Sequence, residues 1–178
     1  AEYSVLIARE LGWNEKELSN LKNAAHLHDI GKIAIPDTIL NKPSKLSEEE
    51  FSIIKEHTII GANILKNISL IDHVQEIVRN HHERYDGKGY PDGLKGEEIP
   101  ISAQVVSLAD VYDALVSDRV YKKAYSHEKA IEMILNGECG MFNPLLLECL
   151  VEIQDKVRKE LDIKDVNECL EYLEERNR

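Results

Sequence analysis

Apolar positions recur at helical spacing along almost the whole chain, the pattern of amphipathic helices packed by one face. Val5, Leu6, Ala8 and Leu11 predict a helix over residues 1–12, closed by Gly12. A second helix starts near Asn14, with Glu15 and Glu17 favouring its N-terminus. It runs through Leu18, Leu21, Ala24, Ala25 and Leu27 and delivers His28-Asp29 just before Gly31. A loop with Pro36 follows, then a short turn over Asp37 to Leu40, then Pro43. Leu46-Ser47-Glu48-Glu49-Glu50 predicts a sharp helix start, with Ser47 as N-cap and Glu50 completing a capping box. Phe51, Ile54, His57, Ile60, Gly61, Ile64 and Leu65 continue that helix, and the next runs from Leu70 to Glu83.

The period stops at His81-His82-Glu83-Arg84-Tyr85-Asp86-Gly87-Lys88-Gly89-Tyr90-Pro91. Glycine admits positive φ and proline fixes its own, so this is a shaped loop rather than a linker. Beyond it, Ile101 to Val116 reads as a buried helix. Ser126 caps another over Glu128 to Asn136, stopped by Gly137. Pro144 at a first helical position opens Leu145 to Leu161. A charged amphipathic helix, Val166 to Arg178 within a C-terminal segment 162–178, ends the chain. No segment shows the alternation of a strand. The expected fold is all-α: a multi-helix bundle with one long glycine-rich loop, in a single domain over 1–178.

Composition narrows the function. The 178 residues carry a net charge of -11, which argues against a surface for a nucleic-acid polymer, because phosphate backbones require clustered Lys and Arg. No apolar run is long enough to span a bilayer, so no membrane contact is expected from this domain. Cys139, Cys149 and Cys169 lie far apart with no CxxC pair, which points to reduced thiols and a cytoplasmic setting. Ala1 begins inside an apolar-periodic segment without a cap, so the chain is expected to be truncated at its N-terminus.

Four of the seven histidines, His28, His57, His81 and His82, sit in polar contexts at helix ends or beside a glycine. His28-Asp29 pairs an imidazole with a carboxylate able to bridge two cations. Gly61, four residues after His57, would let another helix approach closely. Asp110 lies inside an apolar helix, where an unpaired carboxylate is costly, so it must be ion-paired or metal-bound. Each feature alone also fits a capped helix end, a half-exposed helical histidine or an ordinary ion pair. Together they offer four imidazoles and two carboxylates. That suffices for a hydrolytic centre of two metals about 3.5–4 Å apart that clamps a phosphate.

The motifs His28-Asp29-Ile30-Gly31-Lys32, Pro36-Asp37-Thr38-Ile39-Leu40, His57-x-x-x-Gly61, His81-His82-Glu83-Arg84 and Asp86-Gly87-Lys88-Gly89-Tyr90-Pro91 resemble the HD-GYP family. So do Ala109-Asp110-Val111-Tyr112-Asp113-Ala114-Leu115 and Arg119-x-Tyr121-Lys122. These are bacterial signalling phosphodiesterases of the HD metal-hydrolase superfamily that cleave cyclic di-GMP, and the resemblance runs from about Tyr3 to Leu150. It implies two divalent metals, iron or manganese preferred. Asp29 would bridge them, with His28 and Asp110 on the first and His57, His81 and His82 on the second. Lys32 would contact the scissile phosphate or protonate the leaving oxygen, and Asp113 would act as a nearby acid. Arg119 and Lys122 would hold the ligand's phosphates. Asp86, Gly89, Tyr90 and Pro91 would shape the nucleotide pocket, and the Gly-Tyr-Pro loop would also offer a surface to a partner signalling domain. A sensory or receiver domain is expected upstream.

Two departures stand out. The family carries a further first-metal histidine that, by its spacing, would fall just upstream of Ala1. Its Phe-Asp-Pro is Phe142-Asn143-Pro144 here, and Asn caps a helix as well as Asp. The resemblance implies hydrolysis of cyclic di-GMP to linear pGpG and further to GMP. Two other functions fit the same residues: a catalytically weak cyclic-dinucleotide-binding or partner-docking module, and a hydrolase of another cyclic dinucleotide.

Overall fold

The computed structural model describes residues 1–66, 73–118 and 123–176, with side chains described through residue 164. The described residues hold no strand, as the all-α expectation requires. Helices α1 (Glu2–Glu10) and α2 (Glu15–Leu27) form an antiparallel pair. Gly12 at φ 82 makes the left-handed turn between them, and Asn14 caps α2 by accepting from the backbone of Lys16 and Glu17. A 3-10 turn, Ile30–Ala34, follows His28, and α3 is the short Asp37–Leu40. The Ser47–Glu50 capping box forms and opens α4, Glu48–Ile64.

Helix α5 spans Val74–Asn80. The helix expected over Leu70 to Glu83 is therefore shorter at its C-terminal end, and its expected start lies outside the described residues. The early stop has a geometric consequence. Adjacent side chains on a helix diverge by about 100°. With His81 as the C-cap and His82 in a turn, the two rings instead lie 4.1 Å apart, centroid to centroid.

Helix α6, Ile101–Val116, is the axis of the bundle, with Ala103, Val105, Leu108, Ala109 and Tyr112 buried. It packs against α1, α5 and α7 (His127–Leu135), while α8 (Pro144–Arg176) covers α1 and α7. Asn143 Oδ1 accepts from Leu145 N, the capping role expected of it. One helix replaces the two expected after Pro144, because Asp162-Ile163-Lys164-Asp165 contains neither glycine nor proline to stop it. No helix among the described residues is long and apolar enough to cross a membrane.

Two glycines bring the histidine-bearing segments of the bundle together. A Cβ on Gly31 would collide with the His57 carbonyl oxygen and come within 2.6 Å of Gly61 N. A Cβ on Gly61 would meet Val78 Cγ1 of α5 at 2.7 Å. The turn after His28-Asp29, α4 and α5 thus cross at backbone distance, and their histidines converge.

Candidate metal centre

Four elements deliver six side chains to one point. His28 ends α2 and Asp29 follows it, His57 comes from α4, His81 and His82 close α5, and Asp110 projects from α6. One ligand atom each from Asp29, His57, His81 and His82 lies within 4.8 Å of the others. The two oxygens of Asp29 face different ways. Oδ1 lies 3.3 Å from His57 Nε2 and 3.9 Å from His81 Nε2, whereas Oδ2 lies 3.4 Å from His28 Nε2. Asp110 Oδ1 is 3.6 Å from the same His28 nitrogen. The carboxylate of Asp29 therefore stands between a group of imidazoles and a His28–Asp110 pair.

The rings are oriented by a device repeated three times. Nδ1 of His28, His57 and His81 bonds the carbonyl three residues earlier, Ala25 O at 2.6 Å, Ile54 O at 2.7 Å and Val78 O at 2.9 Å. With Nδ1 donating, each ring is the tautomer whose Nε2 lone pair faces the centre, the second-sphere arrangement of metal-binding histidines. His57 and His81 are almost fully buried, at 0% and 1% exposed. Yet Nε2 of His28, His57 and His81, and Oδ1 of Asp29, have no hydrogen-bond partner. Four convergent buried polar atoms left unsatisfied are costly in a protein interior. Divalent cations on the two sides of Asp29 would satisfy them, and the imidazole and carboxylate donor set, without thiolate, suits first-row metals.

The electrostatics agree. Burial, reinforced by the neighbouring His28 and His57 imidazoles, pushes the His81 pKa down to about 4, so the ring is neutral and ligand-ready at pH 7. Burial lowers His82 as well, helped by His81 and His57. Burial works to raise Asp29, but His57, His28 and Lys32 together hold it well below the usual carboxylate range. For Asp110 the same contest, burial against His28, also ends with the carboxylate ionised.

Lys32 Nζ stands 2.6 Å from Asp29 Oδ2 at the half-open rim of the centre. Asp113 lies three residues beyond Asp110, and its Oδ1 accepts from Lys164 of α8 at 3.0 Å. Asp86 is tied to Lys88 within the loop, its Oδ1 accepting from Lys88 N at 3.2 Å. Arg119 and Lys122 lie outside the described residues.

Tyr90 is brought to the cluster. Its ring stacks on His82 at 4.9 Å and 29°, and its N–H donates to the His82 carbonyl. Gly89 has no room for a side chain, since a Cβ would overlap the backbone of Glu83 and Arg84. The residue that fixes this loop was not assigned a role from the sequence. Glu83 is 3% exposed, and its carboxylate accepts backbone N–H groups of Asp92 at 2.7 Å, Gly93 at 3.0 Å and Leu94 at 3.1 Å. Arg79 reinforces it with a two-pronged bond to Asp92 at 2.7 Å. A carboxylate directly after two ligand histidines and before a run of glycines was the available signal. Phe51 was read only as one of the apolar positions of α4, and Lys55 was given no role from the sequence.

The sequence model of the HD domain family matches residues 1–141. A cyclic di-GMP phosphodiesterase of Vibrio cholerae is 46% identical over 143 residues, covering 76% of this chain and 29% of the relative. A 3'3'-cGAMP-specific phosphodiesterase of the same organism is 41% identical, covering 88% of this chain and 30% of the relative. The chain thus spans about a third of these relatives' length. Among solved structures, an HDG"Y"P protein from Bdellovibrio bacteriovorus superposes with a TM-score of 0.67 at 25% identity, covering 86% of this chain and 49% of that one.

Proposed function

The chain belongs to the HD domain family, with the resemblance to its HD-GYP branch borne out, and on that premise we propose that it is a metal-dependent phosphodiesterase acting on cyclic di-GMP. The observation that carries the reading is the set of buried, unpartnered Nε2 and Oδ1 atoms converging from α2 and the residue after it, α4 and α5. In this proposal Asp29, His57, His81 and His82, together with His28 and Asp110, would hold two iron or manganese ions. Such ions supply Lewis acidity toward a phosphoryl oxygen and activate water.

The chain's own residues do the rest. The three backbone-locked imidazoles hold their lone pairs in place without reorganising. Lys32 at the rim meets the incoming phosphodiester and supplies a proton to the leaving ribose oxygen. Tyr90 closes the opposite side over His82 and limits access of bulk water. Arg119 and Lys122 bind the ligand's phosphates in this scheme. The products are linear pGpG and, by a second cleavage, GMP.

A specific observation favours one neighbouring substrate. A relative at 41% identity is specific for 3'3'-cGAMP, so the same centre would serve a hybrid cyclic dinucleotide. Incubating manganese-loaded protein, prepared without oxygen, with each dinucleotide and separating the products by chromatography tests the proposal. Linear product from cyclic di-GMP is expected. Absence of product from either dinucleotide, with metal demonstrably bound, would refute the hydrolase reading and leave a binding module.

A further inference from the structure

The helix that delivers His57 also carries a surface that the metal centre does not use. Phe51 and Lys55 are four residues apart on α4 and therefore share a face. Phe51 is 45% exposed, unusual for a phenylalanine beside a polar centre. Its ring meets Tyr90 edge to face, centroids 6.1 Å apart, and Tyr90 in turn stacks on His82. Lys55 Nζ lies 5.3 Å from the Phe51 centroid and 6.0 Å from that of Tyr90. Two aromatic rings and an ammonium group thus extend outward from a candidate ligand of the metal centre.

We propose that Phe51 and Lys55 complete a base-binding shelf with Tyr90, with one guanine of the cyclic dinucleotide stacked on Phe51 and its acceptor edge read by Lys55. The inference rests on the phosphodiesterase reading above. An exposed ring offers a flat face to any base, so Phe51 supplies affinity without selectivity. Lys55 supplies selectivity. Guanine presents two acceptors, O6 and N7, to an ammonium donor, whereas adenine places its N6 amino donor where O6 would be. The shelf therefore favours guanine over adenine at this subsite. The cation held near two ring faces is already positioned, so little side-chain freedom is lost when the base arrives.

The test compares kcat/KM of the manganese-loaded protein for cyclic di-GMP, cyclic di-AMP and bis(p-nitrophenyl) phosphate, a diester without bases. Phe51→Ala lowers the ratio of either dinucleotide to the simple diester about ten-fold, chiefly through KM, and Phe51→Trp restores it. Lys55→Gln reduces the preference for cyclic di-GMP over cyclic di-AMP about ten-fold, and Lys55→Arg keeps it. If both variants retain the wild-type ratios, or lose all three substrates equally, the shelf is wrong while the phosphodiesterase reading stands. If the wild type cleaves the simple diester but neither dinucleotide, both readings fall.

Discussion

Replacing Glu83 by glutamine separates a loop anchor from a metal ligand. The carboxylate takes three backbone N–H groups, from Asp92, Gly93 and Leu94. Hydrogen bonds to a charged group contribute about 1.5–3 kcal/mol and neutral ones about 0.5–1.5 kcal/mol. An amide keeps the two bonds to Oε1 in neutral form and turns an NH2 donor toward Leu94 N–H. The loss is on the order of 2–3 kcal/mol, which for a chain of this size lowers Tm by roughly 5–10 °C. The loop also carries Tyr90, so its loosening should lower kcat/KM for the cyclic dinucleotide about a hundred-fold through mispositioning. Metal content should not change, because Glu83 points at loop amides rather than at the cluster. Calorimetric melting, elemental analysis and turnover on the same preparation read all three effects. A Glu83→Gln protein with wild-type Tm and lost metal would refute the anchoring role and make Glu83 part of the metal shell.

Gly31→Ala should be among the most damaging small changes. A methyl there overlaps the His57 carbonyl, so the variant loses about 1–3 kcal/mol of stability, measured by urea denaturation, and binds less metal. His57→Ala should remove metal, read as a fall in equivalents per chain by elemental analysis. Arg79→Ala should cost no more than about 1 kcal/mol, because its pair with Asp92 is part-exposed. His127, whose Nδ1 is hydrogen-bonded to the Tyr112 hydroxyl at 2.8 Å, has its pKa lowered from 6.5, first by burial. Its neutral form is favoured by folding, so its stabilising contribution is complete above about pH 6.5 and is lost as pH falls through the folded-state value. The urea midpoint of the wild type should therefore drop more between pH 7.5 and pH 5 than that of His127→Asn.

Much of this architecture is written in local chemistry. Ser47 and Glu50 announced their capping box, Gly12 its left-handed turn, and Ile101 to Val116 its burial, because each signal lies within a turn or two of the residues it governs. The chemistry of the candidate centre was legible for a different reason. An isolated Asp110 in an apolar helix and paired histidines at a helix end have few inexpensive alternatives, and family motifs then ordered them. What stayed hidden depends on contacts between distant elements. Gly61 was read as a point of close approach, but that it also meets Gly31, thirty positions earlier, was not. The direction of the Glu83 carboxylate depends on how the following loop folds back. The place of Phe51 beside Tyr90 requires α4 and that loop to be docked first. The continuity of α8 past Leu161 was missed because a change from apolar to charged composition resembles a boundary, although nothing there stops a helix.

The most direct test of the central claim is the rate of pGpG formation from cyclic di-GMP as manganese is added to metal-free protein under anaerobic conditions. The account predicts no product without metal, and a rate that rises to a plateau at two equivalents per chain. Two bound equivalents with no linear product would contradict it.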